Sequence, residues 1–192
     1  MFQFITITGG VLIALLVNGF VELRDTRALL RQARSTIAQE IAANKRELEV
    51  VLSSYPQHRT RFEAAITLSD QLLATKTTTI HKLDFGLELA ELLSTAWRTA
   101  ERTGALGHME YGEVQKYSTL YDFQDFFSAQ QVRMVEHVTS ATALLGPNFD
   151  PERADPKDLM AFRQHMLELR GNLTLQEQLA GRLAEKYAET LK

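Results

Sequence analysis

The sequence predicts an all-α protein in which an N-terminal transmembrane helix continues into a long stalk helix and packs into a bundle of about four to five helices. Three observations lead to this prediction. The chain starts with a long uncharged segment, and apolar residues then recur every three or four positions. Its four prolines, Pro56 and a group between Pro147 and Pro156, leave long stretches uninterrupted. No segment shows convincing strand alternation.

Residues 1–23 are predicted to form a membrane anchor. No charged side chain occurs from Phe4 to Val21. At ~1.5 Å per residue this run covers about 27 Å, close to the ~30 Å hydrocarbon core of a bilayer. A secretory signal is disfavoured because no Lys or Arg precedes the run and "VNGFVEL" is a poor cleavage site. A buried helix of a soluble protein remains the alternative, because Thr6, Thr8 and Asn18 lower the hydrophobicity.

Four arginines on one helical face follow the uncharged run directly. Lys and Arg accumulate on the cytoplasmic side of a span, so the pattern predicts one span with the bulk of the chain in the cytoplasm. The same side chains suit anionic lipid headgroups, and a solvated helix face is the alternative interpretation. The four are Arg24, Arg27, Arg31 and Arg34.

Small or polar residues recur every four positions within the predicted span: Thr6, Gly10, Ala14 and Asn18. Such spacing lets two membrane helices approach closely, and Asn donates hydrogen bonds across the interface. We therefore consider a homo-oligomer formed through the span and stalk. The alternative is that the spacing has no role, since glycine and threonine are common in spans.

Residues 24–192 are predicted to form the bundle domain, beginning with a stalk helix over 24–54. That helix carries an apolar stripe and should end near Ser54, because the residue before Pro56 disfavours helix. Asn44 lies on the stripe, either as a buried polar residue that sets register or at the stripe's edge, and we favour the edge. The stripe consists of Leu30, Ala33, Ile37, Ile41, Asn44, Leu48 and Val51.

The remaining helices are bounded by proline, glycine and capping residues. Asp155 and Pro156 suit the N-cap and first position of the last helix, and Gly104 suits a C-terminal cap. The predicted elements are central helices within 57–145 (Gln57–Ala74, Asp84–Thr103 and Tyr111–Leu145), a loop over 146–156 and a C-terminal helix over 157–190.

Composition and motifs offer no support for catalysis or for nucleic-acid binding. The net charge is −3 and cysteine is absent, which argues against a phosphate-binding surface and excludes thiolate chemistry. None of the five histidines pairs with another at helical spacing, and the di-iron, zinc-protease, phosphate-loop and nucleophile-elbow motifs are missing. We therefore expect no enzyme activity, no cofactor and no metal.

An amphipathic stripe of aromatic and amide side chains is the candidate ligand or partner surface. Tyr and Trp favour sites that are half apolar and half wet, so the stripe suits a pocket or an interface. The alternative is that the polar ends are satisfied inside the bundle. The candidate residues are Trp97, Tyr111, Tyr117, Tyr121, Gln124 and Gln131.

Two stretches resemble a group of uncharacterised bacterial membrane proteins that have one N-terminal span and a helical domain. The first carries an "EIxxNxxEL"-like element at Glu40, Ile41, Asn44, Glu47 and Leu48. The resemblance implies the architecture, a bacterial origin and hence a place in the bacterial inner membrane, but it supplies no activity and no site residues. The second stretch matches at Trp97, Thr103, Gly104, Ala105, Leu106, Tyr111, Tyr117, Tyr121 and Gln124.

The expected function is that of a membrane-anchored scaffold or accessory subunit that binds an unidentified protein partner. The alternative is a sensory or small-ligand-binding bundle with its site near Trp97 and the stripe of Tyr117, Tyr121 and Gln124. A closed pocket with converging polar groups would favour ligand binding. Packing without a cavity would favour a structural role, and a flat exposed stripe would favour a partner surface.

Overall fold

The fold consists of four helices packed together, which confirms the all-helical bundle. The computed structural model describes residues 2–80, 82–146, 149–150 and 153–191, with side chains from residue 17 onward. The helices α1, α3 and α4 are long, and α4 packs against both α1 and α3. The short α2 and the 3-10 turn that follows it pack on α1. The helices are α1 (Phe2–Thr75), α2 (Thr95–Arg102), α3 (Tyr111–Leu145) and α4 (Pro156–Thr190), and the 3-10 turn is Ala105–His108.

Helix α1 continues through Pro56, so the predicted end near Ser54 and the separate helix from Gln57 are wrong. Pro56 cannot donate a hydrogen bond to the preceding turn, which disfavours helix locally. Its ring faces outward, whereas Tyr55 and His58 are only 2% and 1% exposed. Because the buried face continues on both sides of the proline, packing offsets the lost hydrogen bond.

The predicted helix Asp84–Thr103 is wrong in its first half. Residues 82–94 are not helical, and α2 begins only at Thr95. We call residues 84–94 the strap. From Leu83 to Glu88 the side chains alternate between the bundle and solvent, as in a half-buried strand, and the next residue, Leu89, is also exposed. The partly buried positions around its start are Leu83, Phe85 and Leu87, and the exposed ones are Asp84, Gly86 and Glu88.

The boundaries predicted for α3 and for the start of α4 are confirmed. The Asp155 side chain accepts a hydrogen bond from the backbone N–H of Lys157 at 2.8 Å, and Pro156 occupies the first position of α4. Gly104 follows α2 with φ of +75°, and Gly146 follows α3 with φ of +67°. Both angles lie in the left-handed region, which glycine adopts without a steric cost.

The first part of α1 extends beyond the bundle. No side chain between residues 17 and 28 is buried, and the core begins with Leu29, Leu30 and Ala33. In the described part of the chain, no helix combines the length and the apolar character that a membrane crossing requires. The predicted pairing residues Thr6, Gly10 and Ala14 fall outside the described side chains.

A buried polar seat for the strap

Five buried polar side chains connect α1 and α3 to the strap and to the start of α2. We call them the polar seat. Each is at most 8% exposed, so its hydrogen-bonding groups must find partners inside the protein. The polar seat consists of Glu40 and Asn44 on α1 and of Tyr121, Gln124 and Gln131 on α3.

Asn44 binds the backbone of the strap on both sides of Leu93. Its Nδ2 donates to the Leu93 carbonyl at 2.7 Å, and its Oδ1 accepts from the Leu93 N–H at 2.8 Å. This double exchange is the one that a residue makes with its opposite in an antiparallel sheet. Asn44 is 1% exposed, so our preference for the stripe's edge is wrong.

Gln131 binds the strap in the same manner three residues earlier. Its Oε1 accepts from the Ala90 N–H at 2.8 Å, and its Nε2 donates to the Ala90 carbonyl at 3.0 Å. A side-chain amide carries one acceptor and a two-hydrogen donor, the same groups as a peptide bond. The two amides therefore replace the neighbouring strand that an all-helical protein lacks.

Glu40 binds the first turn of α2. Its carboxylate accepts from the backbone N–H of Ala96 at 2.8 Å and of Trp97 at 3.4 Å. The N-cap residue Ser94 makes no capping hydrogen bond, so Glu40 caps this helix from α1. A carboxylate is favoured there because it lies at the positive end of the helix dipole.

Two buried tyrosine hydroxyls complete the network. Tyr121 donates to Glu40 at 2.7 Å, and Tyr187 of α4 donates to Gln124 Oε1 at 2.6 Å. Burial is the main cause that raises the pKa of both hydroxyls above the ordinary value, so both stay protonated as donors. Gln124 also accepts from Asn44 at 3.0 Å and donates to the Leu93 carbonyl at 3.0 Å, and it thereby connects α1, α3, α4 and the strap.

The six candidate surface residues predicted from sequence occupy different surroundings. Tyr121, Gln124 and Gln131 belong to the polar seat. The half-buried Trp97 stacks on Tyr121, with ring centroids 5.4 Å apart and an interplanar angle of 13°. Tyr117 lies beside Trp97 at 6.2 Å, whereas Tyr111 is 81% exposed at the start of α3. The polar groups of the seat are bound by the chain's own backbone and by other buried side chains.

The beginning of the strap is held by charged groups nearer the surface. Arg61 donates to the Gly86 carbonyl at 2.6 Å and pairs with the Asp84 carboxylate at 2.9 Å. The buried Nε2 of His58 contacts both the backbone N–H and the carboxylate of Glu88. The hydrogen bond from His58 is the first cause that lowers the pKa of Glu88, and Arg61 adds to it.

The four arginines after the predicted span separate into two groups. Arg24, Arg27 and Arg31 are exposed on the part of α1 that precedes or enters the bundle. Arg34 instead forms a two-pronged ion pair with Glu113 at the start of α3, with nitrogen–oxygen distances of 2.8 and 2.7 Å. That hydrogen-bonded pair raises the pKa of Arg34 and ties α1 to α3. Asn18, the described member of the predicted pairing face, is exposed.

The structure brings together a His–His–Glu group that the sequence analysis missed. His137 of α3 and His165 of α4 lie near Glu168, and one ligand atom from each falls within 4.8 Å of the others. Sequence spacing identifies histidine pairs only along one helix, whereas these two histidines come from different helices. The sequence did contain one signal for this group, because His165 and Glu168 are three residues apart and therefore share one face of a helix.

Comparisons with protein-family models, with curated proteins and with solved structures find no match to this chain. The resemblance to single-span bacterial membrane proteins therefore stays a prediction.

Proposed function

We propose that this protein is a membrane-anchored helical scaffold without enzyme activity, which holds its bundle at the cytoplasmic face of a bacterial inner membrane to bind a protein partner. The observation that supports this proposal is the difference in burial between the two ends of α1. One end of this single helix forms the bundle core, and the other end has no side chain buried from residue 17 to residue 28.

The helix segment outside the bundle exposes large apolar side chains. Val17, Phe20, Val21 and Leu23 are between 52% and 78% exposed. Burying such a side chain is worth about 1.5–3 kcal/mol, so four on one short segment favour a covered state. A bilayer would cover them, because the uncharged run continues from Val21 back to the first residue.

The charges after this segment support the proposed orientation. Arg24, Arg27 and Arg31 are exposed and follow Leu23 within about three helical turns. Positive side chains at this distance favour the cytoplasmic side and bind anionic headgroups. Pairing of two copies through the span and the stalk would be compatible with this placement.

The polar seat favours a structural role over the small-ligand alternative. Both amide atoms of Gln131 and both of Gln124 are engaged by the strap and its neighbours. A ligand at this position would have to displace the chain's own backbone. We therefore prefer the scaffold to a sensory site near Trp97.

Membrane fractionation of the full chain, combined with reporters at its C-terminus, tests this proposal. We expect the protein to stay in the membrane pellet after a carbonate wash, a C-terminal fluorescent protein to be bright, and a C-terminal alkaline phosphatase to be inactive. Recovery in the soluble fraction without detergent would overturn the anchor. An active phosphatase fusion would overturn the orientation.

A charge-reversal variant tests the arginines separately. R24E/R27E/R31E should lose the orientation or insert poorly, since the topological signal is reversed. R133E/R182E changes two exposed arginines of α3 and α4 and serves as the matched control, which should behave as the original chain. Equal behaviour of the two variants would show that the arginines do not set the topology.

A further inference from the structure

A His–His–Glu group lies between α3 and α4, outside the polar seat. The Oε2 atom of Glu168 is 3.2 Å from Nδ1 of His137 and 3.5 Å from Nδ1 of His165. The centroids of the two imidazole rings are 5.8 Å apart, and the ring planes are tilted by 54°. Three atoms of the kinds that bind transition metals therefore converge from two helices.

The spacing of these atoms fits a metal ion at their centre. Zinc binds imidazole nitrogen and carboxylate oxygen at ~2.0–2.2 Å, which places tetrahedral ligand atoms about 3.3–3.5 Å apart. The two distances to Glu168, 3.2 and 3.5 Å, are close to this range, and one ligand atom from each of the three residues lies within 4.8 Å of the others. Two neutral imidazoles and one carboxylate are also a donor set that favours zinc and its neighbours over magnesium or calcium, which prefer oxygen ligands.

Two further features favour the binding of a metal ion by this group. Nδ1 of His165 is shielded from solvent and forms no hydrogen bond within the described part of the chain, although it lies 3.5 Å from Glu168 Oε2. Gln164 donates from Nε2 to the other carboxylate oxygen of Glu168 at 3.0 Å, which orients the carboxylate as outer partners of metal ligands do. The side chains of both histidines are about a third exposed, so an ion can enter from solvent.

We propose that His137, His165 and Glu168 bind a divalent transition-metal ion of the zinc class, with water completing the coordination. The ion would join α3 to α4, because His137 belongs to α3 and the other two ligands belong to α4. One carboxylate and a doubly charged ion together carry a net charge of +1. A bound water leaves this charge unchanged, and a bound hydroxide neutralises it. The site stabilises the bundle, because it binds only when the two helices are packed.

Metal titration of the full chain, purified without a polyhistidine tag and stripped with a chelator, tests the site. Co²⁺ should give the intense visible bands of a four-coordinate complex with one ion per chain, and Zn²⁺ should displace it. Zn²⁺ should also raise the melting temperature. His137→Ala and Glu168→Gln should each weaken Zn²⁺ binding by at least about tenfold. His108→Ala, at an exposed histidine of the 3-10 turn, is the matched control and should bind as the original chain does.

A measurement on the unsubstituted protein covers the case in which a variant unfolds. In proton–nitrogen spectra of the imidazole rings, Zn²⁺ should shift the signals of two histidines and leave the other three in place. Absence of saturable binding would overturn the proposal. So would binding that persists in both His137→Ala and Glu168→Gln, or imidazole shifts spread over all histidines.

Discussion

The two halves of the strap are held by different chemistry. From Ala90 to Leu93, neutral amides of Asn44, Gln124 and Gln131 bind the backbone inside the bundle. From Asp84 to Glu88, Arg61 and His58 hold the chain through charged partners that are about half exposed. Both halves place an extended segment on a helical bundle, but they differ in how much each contact should matter.

The difference follows from what replaces each contact when it is lost. At the exposed half, water can bind the released carboxylates and carbonyls, so an ion pair there contributes little. The side chains of the polar seat are at most 8% exposed, so water replaces a lost partner less readily there, and an unpaired buried peptide group costs about 1–3 kcal/mol. The buried amides should therefore dominate the stability of the strap, and single substitutions can measure this.

The largest effect is expected for Asn44→Leu. It removes the acceptor of the Leu93 N–H and one of the two donors to its carbonyl, and it places an apolar side chain against Gln124. We expect about 2–4 kcal/mol lower free energy of unfolding. Urea unfolding followed by Trp97 fluorescence measures it. Gln115→Leu, an exposed position of α3, is the control and should change stability by less than about 0.5 kcal/mol.

A smaller loss is expected for Gln131→Leu. Both Ala90 backbone groups lose their partner. However, Gln131 forms no hydrogen bond to another side chain within the described residues, whereas Asn44 also binds Gln124. We expect a cost of about 2 kcal/mol and faster hydrogen exchange at the Ala90 amide. Unchanged protection of Ala90 would show that the strap does not depend on this amide. Gln178→Leu, exposed on α4, is the control.

Most of the bundle was predictable from local sequence signals. The boundaries of α3 and α4 follow from Gly146, from the Asp155–Pro156 pair and from apolar periodicity, and the structure confirms them. Such caps act within one turn, so a short window of sequence contains the whole interaction. Residues 1–16 lie outside the described side chains, so the anchor stays a prediction.

The strap and Pro56 show where local signals fail. "LDFGLEL" alternates between apolar and polar residues as a strand does, but the following "LAELLSTAW" consists of good helix formers and led to a helix prediction. The outcome depends on Asn44 and Gln131, which lie 49 residues from Leu93 and 41 residues from Ala90 along the chain. Only folding brings these side chains to the strap, so they override the local helix propensity. A local window of sequence contains neither partner.

In the exposed half of the strap, Arg61→Ala should have a modest effect. It removes the ion pair with Asp84 and the hydrogen bond to the Gly86 carbonyl, both of which water can replace. We expect about 0.5–1 kcal/mol lower stability, and part of this difference should disappear at high salt because exposed ion pairs are screened. A loss as large as that of Asn44→Leu would contradict the distinction between the two halves.

The smallest effect is expected for Glu88→Gln, and it should depend on pH. The pKa of Glu88 is lowered in the folded protein, first by the hydrogen bond from His58, so its carboxylate stabilises the fold above the ordinary value of 4.5. That stabilisation is lost as the pH falls through the lowered pKa, where the folded protein also takes up the proton. The stability difference between the original chain and Glu88→Gln should therefore be largest near neutral pH and shrink on acidification below 4.5.

Chemical unfolding of both proteins across this pH range measures the difference. Arg61→Ala provides the matched background, because Arg61 is the last of the causes that lower this pKa and His58 remains in place. The same pH dependence should therefore persist in that background. A difference that is constant with pH, or that grows on acidification, would show that the contact between His58 and Glu88 does not stabilise the charged carboxylate.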